Sequence, residues 1–234
     1  MFESPFGESI ISRAIKNKLV EIEIINLRDY ANDKYGTVDD KPFGGDVGML
    51  LKVDVMDRCL EYVGRGNLAR TILLSARGKR FTQEKAEELV KCEELVFVCG
   101  HYEGVDQRIA DHLIDEEISI GDFVTTGGEL PAMTIIDSIV RLLPGVLGKD
   151  ESSKIESFSK ELDRKIEYPQ YTRPAEYKGW KVPEVLVSGD PKKIKEWQRE
   201  QQKGQKLYIQ KLLKLVDHGV CSDDKYSTIN RQQQ

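Results

Sequence analysis

Apolar residues recur along the chain with two different spacings, and the spacings divide it into elements. Short runs rich in Val, Ile and Leu, at Val20 to Ile25, Thr71 to Ser75 and Leu95 to Cys99, have the length and make-up of strands. Among them lie Glu8 to Lys16, Asp54 to Val63 and Thr82 to Cys92, whose apolar positions follow a helical period. The strongest helical signal starts near Leu130, with Pro131 in its first turn. It sets Met133, Ile136, Val140 and Leu143 on one face and stops at Pro144 and Gly145; that face belongs in a core or a subunit interface. Strands alternating with helices over residues 1–148 predict an α/β fold, a mainly parallel sheet with flanking helices.

Residues 149–167 break this pattern. They are polar and charged without a sustained apolar period, as expected of an interdomain linker able to move. From Tyr168 to Val187 the chain is rich in Pro and aromatics, and Pro191 to Val216 carries Ile194, Trp197, Leu207, Leu212 and Leu215 at helical spacing. Residues 168–220 are therefore expected to form a small C-terminal helical domain. The tail 221–234 has too few apolar residues to pack and is expected to be disordered.

Composition adds three constraints. With 234 residues, 39% apolar and 32% charged, the chain can fill one sizeable core and a smaller unit. No apolar run approaches the roughly 18 residues of a membrane span, and the start MFESPFGESI lacks the basic and apolar regions of a signal peptide, so the cytoplasm is the default compartment. Cys59, Cys92, Cys99 and Cys221 show no CxxC spacing, and the three histidines supply no zinc partner set, which favours reduced thiols and no structural metal.

Charge is uneven. Lys154 to Lys214 holds 15 Lys and Arg against 9 Asp and Glu, a local net of +6, so the remainder carries −11 of the overall −5. A phosphate-bearing partner would dock on the C-terminal third, although a solvated helical surface has the same composition.

Three stretches carry candidate chemistry. In KPFGGDVGM, Lys41 to Met49, three glycines in five positions permit φ > 0 and close backbone approach; it is neither a P-loop nor a dinucleotide fingerprint, and a structural turn has the same look. LVFVCGHYEG, Leu95 to Gly104, is a buried-strand pattern ending in two glycines around His101, Tyr102 and Glu103. Ligands of open α/β sheets bind at such strand ends. There Glu103 could accept hydrogen bonds from an amine or a base edge and Tyr102 could pack on a ring; a core Tyr102 and a surface His101 fit equally. ISIGDFVTTGGE, Ile118 to Glu129, runs from a strand through a loop into the Leu130 helix, leaving main-chain donors and acceptors free to read an adenine edge. Asp122 as a turn cap and Glu129 as a helix N-terminal carboxylate are structural roles compatible with that one.

The motifs PFGGDVGM, LSARGKRF, CGHYEGVDQR, SIGDFVTTGGELPAM, RLLPGVLG, YPQYTRP and VPEVLVSG occur here in one order. Together, over roughly residues 1–200, they resemble the bacterial tRNA (guanine-N1)-methyltransferases of the SPOUT superfamily. The resemblance implies a trefoil-knotted α/β fold, an exception to the rule that chains do not thread loops. It further implies S-adenosylmethionine as methyl donor, guanosine 37 beside the anticodon as target, an obligate homodimer sharing each active site, and a tRNA anticodon stem-loop held by the C-terminal domain. The cofactor pocket it implies is built from Leu74, Ala76, Gly100, Tyr102, Glu103, Ile120, Gly121, Asp122, Phe123, Val124, Thr125, Gly127 and Gly128, largely through main chain.

Two further residues follow from the same resemblance. Arg141 matches the family arginine beside the transferring methyl, where a guanidinium stabilises charge developing on guanine O6; an interface ion pair is its structural alternative. Guanine N1 must lose a proton as it attacks, and the family places an aspartate for this in the linker. In IESF, Ile155 to Phe158, that place is taken by Glu156, one methylene longer. Whether a divalent ion assists is left open.

The sequence departs from the family elsewhere. It starts at Met1 and Phe2 just after the family's first apolar strand, which points to a start site further upstream. Ala76 replaces a family proline, and an arginine-rich C-terminal ending gives way to the Lys and Leu pattern of Lys206 to Val216. Glu156, the missing first strand and the altered C-terminus define the alternative expectation, a weak or inactive homodimer of the same fold that binds RNA and S-adenosylmethionine. A nucleotide-dependent oxidoreductase or kinase would need a phosphate-cradling loop that the sequence lacks.

Overall fold

The computed structural model describes residues 1–64, 69–147 and 156–204. The chain divides into two compact units, Met1–Ala175 and Glu176–Gln234.

The first unit opens with the short helix α1 (Glu3–Phe6) and with α2 (Ser9–Lys16), which buries Ile11 and Ala14. A 3-10 turn at Leu27–Tyr30 and a two-residue ladder of β1 (Asp39–Asp40) with β2 (Leu50–Leu51) lead into α3 (Val53–Val63). Then follow β3 (Ala69–Arg80), α4 (Gln83–Leu89), β4 (Glu94–Cys99), α5 (Gln107–His112), β5 (Glu116–Ser119) and α6 (Glu129–Val140). Local signals start these helices where the chain needs them. Thr82 Oγ1 accepts from Lys85 N at the head of α4, and Asp106 Oδ1 accepts from Arg108 N at the head of α5.

The strands β4, β3 and β5 form a parallel sheet in that order, with β3 central. A central parallel strand is covered on both faces and reads as a continuous apolar run. Thr71, Ile72, Leu73 and Leu74 are all buried, and successive residues enter different layers. Ile72 and Leu74 join Ala86 and Leu89 of α4 and Ile135 and Ile139 of α6. Leu73 joins Val55, Met56 and Leu60 of α3 and Ile109 of α5 on the opposite face. The α/β expectation therefore holds, with helices on both sides of the sheet.

The β3–β5 ladder is interrupted once. Leu74 and Lys79 both stand opposite Ile118, so Ser75 to Gly78 leaves the ladder between them. A Cβ on Gly78 would lie 2.5 Å from Ile118 N, so the chain passes β5 there only because residue 78 has no side chain.

The strand expected at Val20 to Ile25 is not formed. Val20 and Ile22 pack against the cluster of Phe6, Ile11, Ala14, Met133 and Val140, but no strand of the described residues pairs with the segment. Its alternation reports side-chain burial, which period 2 encodes, and carries no information about a ladder partner. The helix expected from Thr82 to Cys92 is shorter, with Thr82 as its cap and the chain turning after Leu89. Helix α6 forms where expected but ends at Val140, before the expected stop at Pro144: Met133 and Val140, with Ile136 and with Leu143 in the turn beyond, meet the α1–α2 layer, while Ala132, Ile135 and Ile139 face the sheet.

In the second unit β6 (Glu176–Tyr177) and β7 (Trp180–Lys181) form a hairpin, followed by α7 (Glu184–Val187) and α8 (Pro191–Gly204). Asp190 Oδ1 accepts from Lys192 N at 3.0 Å and starts α8. Leu207, Leu212 and Leu215, the Lys206 to Val216 stretch and the tail 221–234 lie outside the described residues. No described helix is long and apolar enough to cross a membrane.

Candidate functional site

Because β3, β4 and β5 are parallel, the segments that leave them all emerge at one edge of the sheet, as open α/β sheets require of a ligand site. Ser75 to Gly78 follows Leu74, Gly100 to Asp106 follows Cys99, and Ile120 to Gly128 follows Ser119. Of the residues expected to line a pocket, Leu74, Ala76, Gly100, Tyr102, Glu103, Ile120, Gly121, Asp122, Phe123, Val124, Thr125, Gly127 and Gly128 all fall on this edge.

The loops are bound to one another by main chain. Gly128 N donates to Gly100 O at 2.9 Å, and His101 bridges antiparallel to Gly127. Gly104 N closes a turn onto His101 O at 2.9 Å, which leaves Tyr102 at φ 58° with its ring 56% exposed. The glycine-rich stretch joins the same cluster, since Glu103 N donates to Met49 O and Leu51 N donates to Gly104 O. Two glycines are needed for this contact. A Cβ on Gly128 would lie 2.6 Å from Cys99 Cα, and one on Gly48 (φ +104°) would lie 2.3 Å from Glu103 Cγ.

Ile120 to Thr126 holds few polar contacts of its own. Ser119 Oγ exchanges hydrogen bonds with Gly121, and Thr125 Oγ1 donates to Gly127 O at 2.8 Å. The N–H groups from Asp122 to Thr126 find no main-chain acceptor among the described residues. Phe123 and Val124 stand 56% and 87% exposed above them. Main-chain donors left open beside apolar surface suit a purine ring and its edge.

Two charged residues at the loops, Asp122 and Glu129, have partners. Asp122 is bound by Arg80, whose guanidinium holds its carboxyl below the usual range, and His101 Nε2 meets Glu129 at the head of α6. Burial, helped by the nearby Glu129 carboxylate, pushes the Cys99 thiol up to about 12, so it stays protonated. Among the described residues no group of three or more His, Cys, Asp and Glu is placed to hold a metal ion.

Arg141 and Glu156 lie together, but elsewhere. Arg141 caps the C-terminus of α6, and its Nη2 donates to Glu156 Oε1 at 2.7 Å, with the two side chains 28% and 30% exposed. The hydrogen bond to Glu156 raises the Arg141 pKa. Helix α6 has 12 residues, so this pair is roughly 18 Å along its axis from the Gly127–Gly128 loop at the other end. Three contacts had no local signal: Arg80–Asp122, His101–Glu129 and a bidentate pair of Arg164 with Glu87. Each joins residues 28 or more apart in sequence, beyond any periodicity.

Comparison with known proteins adds identity to this geometry. Residues 1–214 match the family model described as tRNA (Guanine-1)-methyltransferase TrmD. The chain is 51% identical over 227 residues to the tRNA (guanine-N(1)-)-methyltransferase of Bacillus subtilis (strain 168), covering 96% of this chain and 92% of that one. It is 45% identical over 227 residues to the protein of that name from Geotalea uraniireducens (strain Rf4), covering 97% and 91%. The Dehalococcoides mccartyi (strain CBDB1) protein of the same name is 52% identical over 203 residues, covering 86% and 81%.

Proposed function

The chain belongs to the tRNA (guanine-1)-methyltransferase family, of the SPOUT class, and from that membership we propose how its residues carry out the reaction and at which guanosine. It is an enzyme that transfers a methyl group to N1 of a guanine in tRNA. The target is guanosine 37, next to the anticodon.

The loops at the sheet edge fit S-adenosylmethionine, because Gly128 lets them pack directly on the Cys99–Gly100 backbone and the Asp122 to Thr126 N–H groups have no main-chain acceptor among the described residues. Bound there, S-adenosylmethionine supplies an electrophilic methyl on a sulfonium. Ile120 to Thr125, Gly127 and Gly128 would hold the cofactor through main chain, with Leu74, Ala76, Gly100, Tyr102 and Glu103 as the remaining residues in contact. Family membership is what supports a trefoil knot at this edge.

The observation that carries the mechanism is the 2.7 Å contact of Arg141 with Glu156, a fixed cation beside a carboxylate. The pair sets a proton acceptor and a cation side by side, within reach of one base edge. As guanine N1 attacks the methyl carbon, the carbon–sulfur bond breaks and its electron pair stays on sulfur. The N1 proton passes to the Glu156 carboxylate, while the Arg141 guanidinium turns to the charge growing on guanine O6.

Two copies of the chain complete each site. The roughly 18 Å along α6 keeps Arg141 and Glu156 of one protomer away from its own loops. Phe43, Val47, Phe123 and Val124 are 56 to 100% exposed around those loops, apolar surface suited to a second copy. The tRNA docks on the C-terminal domain at 168–220; the net of +6 over Lys154 to Lys214 and the exposed Lys181 and Lys193 support this. The test is Glu156→Gln, which should bind S-adenosylmethionine as before and transfer methyl at least about a hundredfold more slowly; a variant as fast as the native chain would refute Glu156 as base.

A further inference from the structure

Glu156 sits on a loop that is internally fixed. Phe158 N donates to Lys165 O at 2.8 Å, Ser159 N to Glu156 O at 2.9 Å and Arg164 N to Ser159 O at 3.0 Å. At its neck Glu167 N donates to Ser157 Oγ at 3.0 Å, and Ser157 N donates to Glu167 Oε2 at 3.2 Å. These bonds make residues 156–167 one body. They do not say where that body stands on the domain.

Two ion pairs do. At one end Glu156 meets Arg141, the cap of α6. At the other, the Arg164 guanidinium grips Glu87 of α4 in a fork, Nη1 to Oε1 at 2.6 Å and Nη2 to Oε2 at 2.7 Å. The same Nη1 donates to Phe158 O at 3.0 Å, so the fork reaches back to the residue two places from the carboxylate. Parallel N–H donors of this kind fix orientation as well as distance. Helices α4 and α6 are themselves locked, through Ala86, Leu89, Ile135 and Ile139 in one buried cluster. Asp163 and Arg164 stand at φ 52° and 60°, a backbone region that side-chain-bearing residues seldom enter, and this turn aims the guanidinium at Glu87.

We infer that the Arg164–Glu87 fork is a positioning device, holding the loop on α4 so that the Glu156 carboxylate stands where the guanine proton must be received. The inference rests on the reading of Glu156 as base. Neither fork residue touches substrate, and their effect passes through the loop.

A double-mutant cycle tests it in the full chain. Single-turnover methyl transfer to tRNA is measured for Arg164→Ala, Glu87→Gln, Glu156→Gln and Arg164→Ala combined with Glu156→Gln, with S-adenosylmethionine affinity measured by calorimetry. A misplacement of about 1 Å can cost on the order of a hundredfold, so each fork variant should lose roughly tenfold to a hundredfold in rate. S-adenosylmethionine affinity should stay the same, and the reversed pair, Glu87→Arg with Arg164→Glu, should recover most of the rate. In the Glu156→Gln background Arg164→Ala should cost nothing further. Full activity in both fork variants, or an equal loss with and without Glu156, would overturn the positioning role while leaving Glu156 as base. A fully active Glu156→Gln would overturn the base assignment, and the inference with it.

Discussion

Arg141 at the end of α6 donates to the carboxylate of Glu156 at 2.7 Å, across 15 residues of sequence. The contact keeps the proposed base and the proposed charge-stabilising cation within reach of one another. Removing a positioned base typically costs about a hundredfold or more, and removing a charge-stabilising donor costs about the same. Glu156→Gln and Arg141→Ala should each lower the single-turnover rate by at least about a hundredfold while S-adenosylmethionine affinity changes less than about twofold. Rapid-quench kinetics and calorimetry check the two halves separately.

Gly128 and Gly100 make a contrasting pair. A Cβ on Gly128 would meet Cys99 Cα at 2.6 Å and Gly100 N at 2.9 Å, both backbone, whereas one on Gly100 would meet nothing nearer than 3.8 Å. Overpacking against backbone that cannot yield costs about 1–3 kcal/mol. Gly128→Ala should lower the Tm by several degrees and weaken S-adenosylmethionine binding, while Gly100→Ala should leave the Tm near that of the native chain. Scanning calorimetry of the two proteins distinguishes them.

The fork also sets a pH dependence. The hydrogen bonds from Arg164 hold the Glu87 carboxyl below its ordinary value of 4.5. A depressed carboxylate contributes stability that is fully present above 4.5 and is lost as pH falls through the folded value. The pair is about one-third exposed, so solvent screening keeps the contribution small. Urea denaturation at about pH 6 should separate the native chain from Glu87→Gln. The gap should close as pH is lowered from 4.5, and a gap that widened would contradict the ion pair.

A shared active site makes a prediction by complementation. Glu156→Gln lacks the proposed base but has intact loops, and Gly127→Val, whose side chain would press on His101 and Glu129, keeps that base but should block the proposed pocket. Co-expressed, they form mixed dimers with one sound site if each site draws on both copies. Random pairing should restore about a quarter of native activity. No restoration would mean that the loops and the base of one protomer serve the same site.

Some of this is legible in the sequence and some is not, for reasons that differ by residue. Thr71 to Ser75, Leu95 to Cys99 and α6 declare themselves because burial on two faces needs an unbroken apolar run or a full helical stripe. The continuation of β3 through Lys79 and Arg80 is invisible, since its residues are polar and only the ladder to β5 makes it a strand. Val20 to Ile25 errs in the other direction: its alternation is real and its packing is real, but strand formation needs a partner that the pattern cannot specify. Arg141 and Glu156 carry no local signal and stand out only through motif resemblance. Arg164 and Glu87, 77 residues apart, come together only in three dimensions.

The most direct measurement is transfer of labelled methyl from S-adenosylmethionine to a tRNA transcript with guanosine at 36 and 37, beside one with adenosine at 37. Labelling of the first transcript alone, mapped to N1 of guanosine 37, is the expected result. Equal labelling of both, or none while calorimetry still registers S-adenosylmethionine binding, would contradict methylation at that guanosine by this chain.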